Sequence, residues 1–219
     1  LAPGVVRVNA NGTVTRVLTL PNGPSDTASF PNGLAFRGDD LYVSDSTGSI
    51  WRTRPRGTVN DTPRSPWLRN SILAPTVGHF GVNGIAFRAN ALYAAVYDAG
   101  LIVRIPIGRT GRAGTPIVVA RNAALKDADG IMFDTAGTLW VTSTRSAVVG
   151  SGALLTVSRT GKVTVVAEDP AWLDYPTQAV FGRTARDHHT LYITNGSFDA
   201  DGPSNVTAIH VRTPWVHPM

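Results

Sequence analysis
The sequence predicts an all-β protein built from repeated four-stranded antiparallel sheets, and three observations carry that prediction. The first is composition: 22 Gly and 15 Pro among 219 residues supply many turns, while charged residues make up 16%, below the usual quarter. The second is a shortage of helix formers. There are 14 Asp but one Glu (Glu168), and 18 Arg but two Lys (Lys126 and Lys162), so two residues that commonly fill exposed helical turns are nearly missing. The third is self-similarity. PNGLAF (31–36), VNGIAF (82–87), ADGIMF (128–133) and PTQAVF (176–181) recur at intervals of 51, 46 and 48 residues when Asn32, Asn83, Asp129 and Thr177 are aligned. A near-constant period of this size marks a repeat architecture.

Each repeat lays out its strands in the same order. The first run is followed by a second, LYVSD at 41, LYAAV at 92, LWVTS at 139 and LYITN at 191, across short polar or small stretches of the kind that close hairpins. A third run, SIWRT (49–53), LIVRIP (101–106), ALLTVSR (153–159) and VTAIHV (206–211), alternates apolar and polar residues as a half-buried strand does. In the two middle copies a fourth follows, PIVVA (116–120) after a long polar loop and KVTVVA (162–167) after a tight Gly turn. Four antiparallel strands per period of about 48 residues are the signature of a β-propeller blade. Residues 5–9 and 13–18, around Asn11-Gly12, read as the outer two strands of one more blade.

At about 48 residues per blade, the chain falls between closed rings, and two arrangements compete. In one, this is a single domain of four blades plus two strands that lacks its N-terminal blade and a half; the blade arithmetic favours it. In the other, the N-terminal strands complete the last repeat and close a smaller ring. The chain opens on Leu1-Ala2-Pro3, which fits a mature or partial sequence. There is no cysteine, so disulfides and thiolate chemistry are excluded. No apolar run reaches the ~18 residues that cross a bilayer, and no membrane association is expected. A secreted or periplasmic location is favoured over a cytoplasmic one, with no residue that fixes it. The oligomeric state is not legible.

The first strand of each propeller blade lines the central channel, so Asn32, Asn83, Asp129 and Thr177 are expected to meet at one opening although they lie some 48 positions apart. All four offer side-chain oxygens, and none of the set is a histidine. That suits a hard cation such as Ca²⁺, or Mg²⁺, better than zinc. Asp129 is the only charged member and is expected to need a cation or an arginine nearby. The competing reading is that the Asn-Gly and Asp-Gly pairs bond their own backbone; Asn11-Gly12 is such a turn. The ends of the second strands are expected at the same face, which brings Asp45, Asp98, Ser143 and Asn195 there, with Asp98 the preferred substrate contact among them. Arg145 and Phe198 are candidate loop residues, and His79 precedes the Asn83 motif. His188-His189 falls in a turn at the opposite face, and no catalytic geometry is expected of His210 and His217.

PNGLAF followed by DDLYVSDSTGSIWR, GVNGIAF followed by ALYAAVYDAGLIVRIPI, and DADGIMFDTAGTLWVTS together resemble the SMP-30/gluconolactonase family of six-bladed propellers, over residues 31 to about 196. The resemblance implies a metal-dependent hydrolase of a small lactone or ester. It implies Asn83 and Asp129 as metal ligands, Asp129 also as the candidate base, and Asn32 as a channel-facing residue near the substrate; Thr177, Asp98 and Asn195 are further substrate contacts expected from the strand geometry alone. The family's metal-binding glutamate lies at the start of its first blade and has no counterpart among these residues; Glu168 follows a predicted outermost strand. The alternative is a non-catalytic propeller of the NHL type that binds a protein or small ligand on its top face. A strictosidine synthase-like role would need a glutamate that the chain scarcely offers. The formal charge is +5, but only Arg52, Arg54, Arg56, Arg64 and Arg69 cluster, as a solvated face does, so nucleic acid is not an expected partner. Nucleotide-binding fingerprints are not found in the sequence.

Overall fold
A computed structural model of the chain describes residues 2–22, 28–55, 60–76, 80–146, 151–197 and 204–211. His79, Arg56, Phe198 and His217 lie outside these residues.

Among the described residues, seventeen strands form antiparallel sheets in chain order. The hairpin of β1 (Gly4–Val8) and β2 (Val14–Thr19) comes first. Its turn follows from Asn11-Gly12: the Asn11 side chain accepts the Thr13 N–H at 3.1 Å, and Gly12 takes a φ of +79° that a Cβ would oppose. Next come β3 (Pro31–Arg37), β4 (Asp40–Asp45), β5 (Ser49–Thr53) and β6 (Leu68–Arg69). A second sheet holds β7 (Val82–Arg88), β8 (Ala91–Val96), β9 (Leu101–Pro106) and β10 (Ile117–Arg121). The third holds β11 (Ala128–Phe133), β12 (Leu139–Ser143), β13 (Ala153–Val157) and β14 (Val163–Glu168). The last has three strands among the described residues, β15 (Pro176–Phe181), β16 (Thr190–Asn195) and β17 (Asn205–His210). The first strands of the four sheets begin at Pro31, Val82, Ala128 and Pro176. The first blade's fourth strand is only two residues, reached through a Pro-rich connection that hides it in the sequence.

Each core lies between one sheet and the next. Leu18, Leu20, Leu41, Val43 and Trp51 join the N-terminal hairpin to the first blade. Tyr42, Ile50, Val82, Leu92 and Val103 fill the gap between the first and second blades, Ile102, Leu125, Ile131, Val141 and Leu155 the next, and Trp140, Leu154, Leu173, Phe181 and Ile193 the last. Burying one such side chain contributes about 1.5–3 kcal/mol, so blade stacking is the main source of stability. The hairpin is also tied to the first blade through Asp61, whose N–H donates to Val17 O at 3.1 Å and whose carbonyl accepts the Thr19 N–H at 2.9 Å.

The inner strands pack in the order β3, β7, β11, β15, and glycine sets how closely they approach. Gly33, Gly84 and Gly130 have no positive φ, so a turn does not require them. A Cβ at Gly33 would stand 2.7 Å from the Asn83 carbonyl oxygen, one at Gly84 would overlap the Asp129 carbonyl, and one at Gly130 would meet the Thr177 carbonyl at 2.7 Å. Each glycine therefore lets its strand lie against the backbone of the next channel residue. The fourth repeat carries the exposed Gln178 at this place, where no following inner strand is described. Gly84→Ala is expected to destabilise the protein by about 3 kcal/mol, lowering the melting temperature by roughly 6–12 °C; a thermal melt followed by far-UV circular dichroism checks it.

Candidate active site
Every inner strand carries a register shift at its channel end, between Pro31 and Leu34, Val82 and Ile85, Ala128 and Ile131, and Pro176 and Gln178. Asn32, Asn83, Asp129 and Thr177 sit within these bulges, which break the alternation of the strand and re-aim its side chains. Hydroxyls on the second strands clamp the bulges. Ser44 Oγ accepts the Gly33 N–H at 2.7 Å and donates to the Asn83 carbonyl at 2.5 Å. Thr142 Oγ1 accepts the Gly130 N–H at 3.0 Å and donates to the Thr177 carbonyl at 3.1 Å, and Thr194 Oγ1 pairs with Thr177 Oγ1 at 2.8 Å. In the second blade Ala95 occupies the place of Ser44 and Thr142.

These bulges surround one cavity of about 650 Å³, lined by Asn32, Asn83, Asp129 and Thr177 together. Asn83 is 3% exposed, and its Oδ1 has no hydrogen-bond partner among the described residues. An orphaned buried carbonyl oxygen is costly. Burial pushes the Asp129 carboxyl up to about 7 from its ordinary 3.8. No ion pair or side-chain donor compensates it among the described residues. The cavity thus holds a reluctant carboxylate and an unsatisfied amide oxygen, both of which a hard cation would relieve. No group of three or more His, Asp or Glu gathers anywhere among the described residues, so what these residues offer such a site is one carboxylate and neutral oxygens.

The other candidates lie elsewhere. Asp98 falls in the turn after β8, its N–H donating to Phe80 O at 3.2 Å, and it is not among the residues lining the cavity. Its neighbour Tyr97 takes that place, because the second strand ends at Val96 and the turn carries Asp98 past the rim. The nearest titratable effect of Asp98 is on Asp127, which burial and then the Asp98 charge hold above the ordinary carboxylate range. Asn195 faces β17 within its own blade, its Nδ2 donating to Trp172 O at 3.1 Å, Asn205 Oδ1 at 2.8 Å and Thr207 Oγ1 at 2.9 Å. Ser143 donates to Lys126 O at 2.8 Å. Asp45 is completely buried and holds a strand end together rather than facing the channel. Arg145 lines a separate cavity of about 150 Å³. Of the arginine cluster, Arg52 and Arg54 share Asp40 at 2.6 and 2.8 Å.

An aromatic wall completes the cavity. Phe30 and Phe80 meet edge to face at 5.2 Å between ring centroids, Phe80 and Tyr97 at 5.6 Å, and Tyr175 lines the same space. Tyr97 Oη pairs with Thr144 Oγ1 at 2.7 Å, and burial, the largest influence on it, holds the phenol well above its usual pKa. Sequence reasoning missed this wall. Its signal was an aromatic two or three residues ahead of the channel residue in three repeats: Phe30 before Asn32, Phe80 before Asn83 and Tyr175 before Thr177.

No protein-family model matches the chain, and no curated protein matches it in sequence. Solved structures do. The PQQ-bound aldose sugar dehydrogenase of Streptomyces coelicolor is similar with a TM-score of 0.62 at 20% identity, over 98% of this chain and 66% of that one. A gluconolactonase from Xanthomonas campestris has a TM-score of 0.60 at 18% identity, over 89% of this chain and 62% of its own. A chain of the nidogen/laminin complex has a TM-score of 0.60 at 16% identity, over 96% and 76% respectively. The chain spans just under two thirds of the length of each of the two enzymes. At such identities the likeness is one of architecture, which proteins of differing chemistry share. This chain has a gluconolactonase-like β-propeller fold.

Proposed function
We propose that the protein hydrolyses a small lactone or ester in the channel cavity, with a divalent cation such as calcium held by Asn83 and Asp129. The observation that carries this reading is the buried, partnerless Asn83 Oδ1 in the same cavity as the uncompensated Asp129 carboxylate. The presence of a gluconolactonase among proteins of this fold is in keeping with it. A bound cation supplies polarisation of the acyl oxygen and stabilises the charge that gathers there. Asp129 takes a proton from the attacking water as its oxygen bonds to the acyl carbon. The acyl C–O bond then breaks, and the departing alkoxide recovers that proton from Asp129. Asn32 and Thr177, on the flanking bulges, orient the substrate oxygens.

Calcium titration by calorimetry tests the reading. Asn83→Ala and Asp129→Ala are each expected to weaken calcium binding by about 10–100-fold and to remove calcium-stimulated turnover of a lactone panel. Calcium affinity unchanged in either variant refutes it. No turnover of any lactone, with calcium bound, leaves the non-catalytic binding propeller as the reading.

A further inference from the structure
We infer that the channel selects a neutral substrate with an aromatic or alkyl body and rejects phosphorylated or polyhydroxylated sugar lactones. This rests on the reading of the cavity as the substrate site and extends it to substrate class.

Part of the cavity wall is apolar and fixed in place: Phe30, Leu34, Phe80, Tyr97 and Tyr175 line it beside the polar groups. Phe30 is 50% and Leu34 51% exposed, an unfavourable state for large side chains unless a ligand covers them. Their exposure is enforced by the backbone. The Phe30 N–H donates to the Asp45 carboxylate at 3.0 Å, and its carbonyl accepts the Ser46 N–H at 3.0 Å. The Phe80 carbonyl accepts from Asp98 N–H at 3.2 Å, and Tyr97 is held by Thr144. A wall set in advance binds a flat or greasy body without an ordering penalty.

Charge points the same way. No Arg, Lys or His is among the described residues lining the cavity, where Asp129 is the acidic member. Apart from the proposed cation, which Asn83 and Asp129 already engage, a phosphate or carboxylate would meet no positive side chain of these residues, which is unfavourable. The remaining polar groups are largely committed. Thr177 Oγ1 pairs with Thr194 Oγ1, Thr144 Oγ1 with Tyr97, and Gln178 Oε1 accepts the Ala179 N–H at 3.1 Å. With Asn83 given to the cation, the amides of Asn32 and Gln178 and the spare lone pair of Thr177 Oγ1 are left to meet the hydroxyls of a sugar ring, too few for a polyol, and hydroxyls buried without partners oppose binding.

The experiment separates binding from hydrolysis. Calorimetry on the full chain, with calcium at pH 8, compares three lactams that cannot be hydrolysed: a neutral bicyclic aryl lactam, gluconolactam, and gluconolactam 6-phosphate. The aryl lactam is expected to bind at least about tenfold more tightly than either sugar lactam, and Phe80→Ala to remove about tenfold of that preference. Phe80→Leu, which keeps apolar volume, is a second variant that folds more readily and is expected to give a smaller loss. Equal or tighter binding of a sugar lactam overturns the inference, as does a preference untouched in both variants. Turnover of the matching lactones is read separately. Binding of the aryl lactam with no lactone opened keeps the substrate class and defeats the hydrolase; faster opening of gluconolactone than of the aryl lactone keeps the hydrolase and defeats the class.

Discussion
Asp129→Asn is expected to raise the melting temperature of the cation-free protein at pH 8 by about 5–10 °C and to leave it nearly unchanged at pH 4. The sign follows from proton binding. In the unfolded chain the carboxyl loses its proton near 3.8, whereas in the folded cavity it keeps it to about 7. Below pH 4 both states are protonated and the group contributes no difference. Between those values the folded state holds the extra proton, so stability falls as pH rises and levels off above 7. Allowing for the partial exposure of the residue, the loss is about 2–3 kcal/mol. Asparagine fills the same space without a charge to desolvate, which removes the slope. Calcium is expected to offset the penalty in the wild type at pH 8 and to do little for the variant. A melting temperature of the wild type that stays level from pH 4 to 8, without cation, contradicts the buried, uncompensated carboxyl.

The architecture was legible because it is written as a period. Apolar pairs such as Leu41-Tyr42 and Leu92-Tyr93 recur in the second strands, which the blade cores bury most deeply. Convergence of Asn32, Asn83, Asp129 and Thr177 was likewise a consequence of period and radial symmetry. The purpose of the glycines that follow three of them was not. Asn-Gly and Asp-Gly suggest turns, yet these glycines act by contact with the next blade, a relation between residues some 48 apart that no local pattern encodes. The hydroxyl clamps from Ser44 and Thr142 were equally invisible, since a Ser or Thr in a strand looks like an ordinary polar position. Asp98 and Asn195 show the limit of counting to a strand end. One residue of turn carries Asp98 beyond the rim, and the alternation of β16 turns Asn195 toward β17 instead of the channel.

Asp45→Ala is expected to cost about 3–5 kcal/mol, among the largest losses of any single substitution here. The carboxylate is completely buried and accepts from the Phe30 N–H at 3.0 Å, the Thr47 N–H at 3.1 Å, Thr47 Oγ1 at 2.9 Å, Ser49 Oγ at 3.3 Å and Trp51 Nε1 at 3.1 Å. Burial alone would raise its pKa, but these donors outweigh burial and hold it below 3.8. Its contribution is therefore present above about pH 4 and lost as pH falls through the lowered folded value, the reverse of the slope at Asp129. Alanine leaves the backbone of the β4–β5 turn and the Trp51 indole without acceptors in a place water does not reach. Asp45→Asn keeps one oxygen but turns an amide donor toward other donors, so an intermediate loss is expected. Urea unfolding at pH 7 measures both, and the gap between wild type and alanine variant should narrow in acid. The same substitution frees the Phe30 backbone, so the variant should also bind an aryl ligand more weakly than its remaining folded fraction explains. A fully stable Asp45→Ala protein would mean that the turn is held by something other than this carboxylate.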